Sequence, residues 1–503
     1  MRSSIILYIV VLSLSISSAG WAHLYGTDKT DEGNFITQLS DSGYIVVGFT
    51  RHQNPYQPDP YDSTEDIYVI RLDQNGDTIW TRQYGTAEAE AGYSAVVTDS
   101  SVIIQGMYSS FPPANFTGHI YMLEIDMDGN LLRQIFFTPE DSEIYERSYS
   151  ITKYGDDQFI LAGISFHFPY VEETKAWFLK INSDGDTLNY FSITYPDSTT
   201  GLMGYDIEVP HGNVLLSRSG LIILPWAIAD SAGDAYDIVP TGGILIAIDT
   251  SFTDTVWTVE LHGALRYSRL YDIIQTNYDT IFATVGVTED LFWVDGLLGL
   301  VTSTGRVIVS RTITGYAPRK ILSLSDDRFA IFCDGERGYI YVLITDFTGT
   351  VLEEIPIHIE GLDSTSGWIF PYYAIRTYDG GFAITGAAAV DSFIATNVDV
   401  FVIKTDSLFN VSWVKQIPVR PQDMKISAYP NPFNSACEIV APAGSKVKIY
   451  NTSGKLVWEA TAPSGAGNTK ITWNPEGSIP SGVYLIEAQK EDAAARCRVV
   501  LVK

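Results

Sequence analysis

The chain has 503 residues, 46% of them hydrophobic and 13% aromatic, which excludes wholesale disorder and leaves room for two or three cores. Acidic residues outnumber basic ones 60 to 32, for a formal net charge of −28. A field of that sign repels phosphate backbones, so nucleic acid is not an expected partner.

The chain opens "MRSSIILYIVVLSLSISSAGWA", with Arg2, an apolar run from Ile5 to Ile16 and then small residues. This is the pattern of a secretory signal peptide over 1–22, with cleavage expected after Ala19 or Ala22. The run falls short of the roughly 20 apolar residues of a membrane anchor. No later stretch is long and apolar enough to span a bilayer, so no transmembrane segment is expected after leader removal. Three cysteines, Cys333, Cys437 and Cys497, are too few for a disulfide scaffold, and Cys437–Cys497 pairing stays open.

A fourteen-residue pattern then recurs without internal gaps. It reads "IYVIRLDQNGDTIW" from Ile67, and returns from Ile120, Ala176, Ile244, Gly296, Ile340 and Val400. Each copy is an apolar strand, a polar turn that usually holds Gly or Asp, and a second strand. Upstream lies a second shared strand pair, starting at Phe35, Tyr93, Tyr149, Tyr205, Tyr271, Lys320 and Tyr373. An aromatic opens six of these seven; Lys320 is the exception. Four short strands repeated seven times predict an all-β fold, a seven-bladed β-propeller over 23–418. Trp21-Ala-His-Leu-Tyr-Gly26 matches the fourth strand Trp80-Thr-Arg-Gln-Tyr-Gly85, giving eight candidates for seven outer strands. Whether the N-terminal copy closes the last blade in place of Trp413-Val-Lys stays open. Turns such as Asp73–Asp77 mimic the start of a calcium loop, but between two strands Gly and Asp are expected as hairpin chemistry. No metal and no cofactor are expected. The repeats loosely resemble the degenerate blades of exported bacterial propellers.

Propeller geometry puts the second-to-third strand loops on one face, and the long ones are 51–66, 109–119, 165–175, 219–242 and 288–295. Tyr56, Tyr61, Phe111, Phe168, Tyr170, Trp226, Phe292 and Trp293 are therefore expected on one rim, with Asp59, Asp62, Asp230 and Asp290. Aromatics beside carboxylates suit sugars, whose ring faces stack and whose hydroxyls donate, and they also suit basic peptides. Leu221–Ala229 reads either as tucked in or as an exposed contact patch. No H-E-x-x-H, G-x-S-x-G or phosphate-cradling glycine loop occurs, so no catalytic residue is assigned. A polysaccharide-degrading enzyme or a structural surface component remain alternatives to a glycan- or protein-binding protein.

After 419–423, a linker, pattern and charge both change. From Met424 there are 9 basic and 6 acidic residues, leaving 23 and 54 for the rest of the chain. Pro430 and Pro432 lack N–H donors, so "YPNPF" is expected to enter a new domain as a stiff edge with Phe433 as its apolar anchor. Six further strands, from "ACEIVAP" to "CRVVLV", predict a small immunoglobulin-like β-sandwich over 424–503. "YPNPFN", "VKIYNTSGKLV", "IPSGVYLIEA" and the basic apolar end "RVVLVK" occur in order. This segment resembles a type A C-terminal sorting domain of the type IX secretion system. Tyr429, Pro430, Asn431, Pro432, Gly454, Lys455, Gly482, Val483 and Tyr484 carry the match. The resemblance implies the type IX machinery as partner, passage through the periplasm, and secretion or display at the outer-membrane surface. It also implies a tail that is often removed and a cargo linked to surface lipopolysaccharide. The strands alone would also fit an immunoglobulin-like module similar to flagellar-hook cap domains, with no sorting role.

Overall fold

A computed structural model describes the chain apart from residues 1–19, 28, 52–64, 87–88, 111–116, 138–143, 168–174, 195–212, 231–238, 266, 290–292, 326, 360–361, 363–366, 390–397, 412–425, 452–454, 464–467, 476, 478 and 491–492. Among the described residues every regular element is a strand, and no helix is long and apolar enough to cross a membrane. The chain divides into two compact units, Met1–Lys415 and Gln416–Lys503.

The first unit begins with β1 (Trp21–Tyr25). Sheet I holds β2 (Thr30–Gln38), β3 (Tyr44–Arg51), β4 (Glu65–Leu72) and β5 (Thr78–Tyr84). Sheet II holds β6 (Ala89–Val97), β7 (Ser101–Ser110), β8 (Thr117–Asp126) and β9 (Leu131–Phe137). Sheet III holds β10 (Ile144–Tyr154), β11 (Gln158–His167), β12 (Lys175–Asn182) and β13 (Thr187–Thr194). Sheet IV holds β14 (Leu215–Leu216), β15 (Leu221–Asp230), β16 (Val239–Asp249) and β17 (Thr255–Leu261). Sheet V holds β18 (Tyr267–Gln275), β19 (Ile281–Glu289), β20 (Val294–Thr302) and β21 (Val307–Ile313). In sheet VI, β22 (Pro318–Ser325) and β23 (Arg328–Cys333) precede a short β24 (Gly335–Glu336), then β25 (Tyr339–Asp346) and β26 (Val351–His358). Sheet VII holds β27 (Trp368–Arg376), β28 (Phe382–Ala389) and β29 (Val398–Thr405), with β24 added at one edge and β1 at the other.

The repeated turn shapes each sheet. In sheet I, Asp73 N donates to Asp77 O, and Gly76 N donates to Asp73 O. Gly76 sits at φ +87°, which a side chain would strain. The Asp73 carboxylate accepts from Asn75 N at 2.7 Å and Asp77 N at 2.9 Å. Asp126, Asp346 and Asp406 cap their turns in the same way. The aspartates of this calcium-like spelling thus accept the N–H groups of their own turns.

Strand alternation sends successive side chains to opposite faces, and here both faces are apolar. Ile222 and Leu224 pack toward sheet III, while Ile223 packs toward sheet V. An apolar core fills each junction from sheet I to sheet VII, and another joins sheet VII back to sheet I. The described sheets therefore form a closed ring, a β-propeller. β1 closes it by pairing antiparallel with β29, Trp21 opposite Lys404 and Tyr25 opposite Val400. The matching position of Trp413 lies outside the described residues.

Two sets of polar contacts reinforce the junctions. Along the inner strands, Asn34 donates to Gly92 O at 2.8 Å, Gln105 to Ser148 O at 2.9 Å, and Val214 N to the Ser150 hydroxyl at 2.9 Å. Asn213 reaches Asp272 at 3.3 Å, and Lys320 Nζ pairs with Asp272 at 3.0 Å. Ile321 N also donates to Asp272, and the Lys320 ammonium lies 4.2 Å from the Tyr373 ring centre. Tyr373 meets Phe35 of sheet I at 4.8 Å between ring centroids. At the outer strands, the Trp21, Trp80 and Trp257 indoles donate to Gln74 O, Met127 O and Ser303 O of the next sheet's turn. Arg133 reaches the equivalent Ser183 O. Tyr25 and Tyr84 hydroxyls cap Gly76 O and Gly129 O at 2.6 and 2.7 Å. The recurring Trp-x-x-x-Tyr-Gly is thus an inter-blade latch.

One repeat departs from expectation. The segment 219–242 is not a long loop: Leu221–Asp230 is the second strand of sheet IV. A tight turn at Ser217–Gly220, with Gly220 at φ +81°, makes Leu215–Leu216 the first strand and displaces the strand pair expected from Tyr205. Tyr205 itself lies outside the described residues.

The second unit contains β30 (Ser427–Tyr429), β31 (Cys437–Pro442), β32 (Lys446–Asn451), β33 (Leu456–Thr461), β34 (Asn468–Trp473), β35 (Gly482–Lys490) and β36 (Ala493–Leu501). Sheets β30-β31-β34 and β33-β32-β35-β36 share one core around Phe433, Trp473, Tyr484 and Ile486. Cys437 and Cys497 both contribute to that core as free thiols, and burial pushes the Cys437 thiol up to about 11.

Two outcomes are expected. Gly20 is buried, with Asn410 O and Lys404 O where a Cβ would stand, and Trp21 is in the latch. N-terminal sequencing of the processed protein should therefore find Gly20, not His23, as the first residue. Lys320→Met should cost about 3–5 kcal/mol in denaturant unfolding because it leaves the Asp272 carboxylate buried and uncompensated, whereas pairing it with Asp272→Leu should recover much of that loss.

Candidate functional site

Antiparallel strands bring the second-to-third strand hairpins and the blade connections to one face of the ring. Charged pairs sit at the strand ends there. Arg51 at the end of β3 meets Glu65 at the start of β4 at 2.6 Å, and Arg269 pairs with Glu289. Arg319, 8% exposed, holds Asp334 through Nε and Nη2 at 2.8–3.1 Å. Burial, the largest single influence, would lower the Arg319 pKa, but Asp334 together with Tyr271 and Tyr372 reverses it and holds the guanidinium charged. On β10, burial pushes the Glu146 carboxyl up to about 7.

Aromatic rings flank the Arg319 guanidinium. Tyr271 of sheet V lies 4.8 Å away and Phe370 of sheet VII 4.9 Å away. Trp368 then stacks on Phe370 at 4.2 Å with 20° between planes. Tyr271, Arg319, Phe370 and Trp368 form one stack across three sheets. β24 leaves sheet VI to pair with β27, which places Glu336 opposite Trp368. Arg337 follows at φ +55°, with its guanidinium 3.8 Å from Glu336 and its N–H on Gly367 O.

The residues expected on the rim are placed as follows. Trp293 is 71% exposed, immediately before β20. Trp226 is a correction: it is 3% exposed, in strand β15, and packs in the core between sheets III and IV. Asp230 ends β15. Tyr56, Tyr61, Asp59, Asp62, Phe111, Phe168, Tyr170, Asp290 and Phe292 lie outside the described residues. The Arg319 stack escaped sequence reasoning because its members come from three repeats and from strand starts rather than long loops.

In the second unit the motif residues divide into two groups. Asn431 donates to Arg498 O at 2.8 Å and accepts from Val500 N at 2.9 Å. Phe433 bonds Val500 and Val502 and packs on Trp473, so this segment lines the edge of β36. Tyr484 is buried, and its hydroxyl donates to Pro480 O at 2.7 Å. Tyr429, 79% exposed, is displayed instead, as are Lys455 and Val483. Gly454 lies outside the described residues.

Residues 427–502 match the family described as the secretion system C-terminal sorting domain. No curated protein resembles the chain in sequence. Among solved structures, PorZ, described as a surface component of the type IX secretion system of Porphyromonas gingivalis, is similar at 10% identity, covering 95% of this chain and 82% of that one, with a TM-score of 0.34. The Dos1 propeller is similar at 11% identity over 79% of this chain and 99% of its own, with a TM-score of 0.41. A lignostilbene dioxygenase from Pseudomonas brassicacearum is similar at 10% identity over 79% and 94%, with a TM-score of 0.44. Scores this low say nothing about activity. The C-terminal unit is a sorting domain of type IX secretion, and the β-propeller chain that carries it is exported to the cell surface or secreted.

Proposed function

We propose that this protein is a surface-displayed or secreted binding protein: a seven-bladed propeller over 23–418 takes glycan or protein ligands on its long-loop face. A 419–423 linker and an immunoglobulin-like sandwich over 424–503 deliver it. The observation that carries this reading is the Tyr271–Arg319–Phe370–Trp368 stack, in which buried Tyr271 and Arg319 back the half-buried Phe370 and Trp368 at that face. The reading also assigns ligand contact to the loop aromatics and carboxylates named from the sequence, Trp293 among them. Trp226 is excluded from the set by its burial. The sorting role falls to the displayed residues, while Asn431 and Tyr484 hold the shape that presents them.

A second reading, a polysaccharide-degrading enzyme, draws on Glu146, whose carboxyl burial pushes up to about 7. Assaying new reducing ends during a glycan screen separates it from binding alone.

Joint replacement Tyr56→Ala, Tyr61→Ala and Trp293→Ala should weaken ligand binding at least about tenfold with an unchanged unfolding transition, if these rings serve ligand contact as proposed. Unchanged affinity would count against the rim. A chain truncated after Gln422 should accumulate in the periplasm, and its normal appearance outside the cell would contradict the sorting role.

A further inference from the structure

We infer that Trp368, Glu336 and Arg337 form a saccharide subsite in which the indole carries a sugar ring and the charged pair binds its hydroxyls. The inference rests on the binding-protein reading above and names the ligand class and position.

The geometry is built rather than incidental. β24 adds only two residues to sheet VII, yet it crosses from sheet VI to do so. Its register puts Glu336 directly opposite Trp368, so the two side chains share one side of the sheet. The crossing holds Arg337 in the left-handed region, which a non-glycine residue occupies only when its surroundings fix it there. Gly338 follows at φ +85° and accepts from Ile359 N.

Behind Trp368 the stack is rigid. Phe370 is held by Arg319, whose two-point pairing with Asp334 leaves the guanidinium little freedom, and Tyr271 closes the far side. An indole backed this way keeps a fixed plane, and Trp368 remains only half-buried. A preset flat apolar face costs little ordering entropy when a ligand arrives.

The chemistry around that face selects the ligand. Glu336 and Arg337 are both exposed, a carboxylate that only accepts and a guanidinium that only donates. Sugar hydroxyls satisfy both at once while the axial C–H groups of the ring lie against the indole. A fatty chain would leave the charged pair unused. A basic peptide would meet Arg337 beside its carboxylate target.

The test uses the full-length exported protein, a panel of defined soluble oligosaccharides, and calorimetry with each variant's unfolding transition recorded. Trp368→Ala should weaken oligosaccharide binding at least about tenfold, Trp368→Phe should restore part of it, and Glu336→Gln should weaken it several-fold. Trp368→Phe keeps the test valid if the alanine variant folds poorly. Oligosaccharide binding that is unchanged in Trp368→Phe and Glu336→Gln, and in a folded Trp368→Ala, would overturn the subsite and leave the binding-protein reading standing. Binding of protein ligands with no oligosaccharide bound would overturn the saccharide class alone. Failure to bind either would overturn both.

Discussion

The inner strands of each sheet in the first unit bury apolar side chains on both faces. That constraint governs the rest. Val46 packs toward sheet VII and Val47 toward sheet II, so sheet I isolated from either neighbour would expose a full apolar surface. Each sheet inherits the same need, and only a ring satisfies all of them. The chain must therefore end where it began, which is why Trp21–Tyr25 pairs with Val398–Thr405 across almost the whole unit. Apolar packing is not directional, and the polar contacts supply alignment. The inner-strand contacts fix each sheet to the next near the centre, and the Trp-x-x-x-Tyr latches fix turns at the periphery.

The centre and the long-loop face are connected through one strand start. Lys320 joins Asp272 and Tyr373, and its neighbour Arg319 joins Asp334, Tyr271 and Phe370. Both residues therefore tie sheets V, VI and VII together. Burial makes Lys320 hard to keep charged, and Asp272 and Tyr373 together more than offset it. The surface that Trp368 presents is a continuation of this packing, so its precision follows from the closure of the ring rather than from a flexible loop.

Much of this was legible in the sequence because turn chemistry repeats. Gly76, Gly129, Gly185, Gly305 and Gly349 all adopt positive φ at the same point of their hairpins, and the fourteen-residue pattern follows from that requirement. Sheet IV was misread because its first strand is two residues long and its turn, Ser217–Gly220, spells differently from the others. The run after that turn looked like a loop because Pro225 and Trp226 interrupt a simple alternation, yet both are buried. Lys320 was visible as the one departure from the aromatic series, but its partner Asp272 belongs to another repeat, and one sequence carries no signal for such pairing. The second unit was readable strand by strand. What could not be read was that Asn431 serves the edge of β36 while Tyr429 faces outward.

The account depends most on closure by the N-terminal strand, and hydrogen exchange across Trp21–Tyr25 measures that directly. If β1 completes sheet VII, the amides of Trp21–Tyr25 that face β29 exchange far more slowly than a free terminus and lose protection together with Val398–Thr405 on unfolding, while the outward-facing ones exchange faster. Exchange at the rate of a free terminus while Val398–Thr405 stays protected would contradict a ring closed in this way.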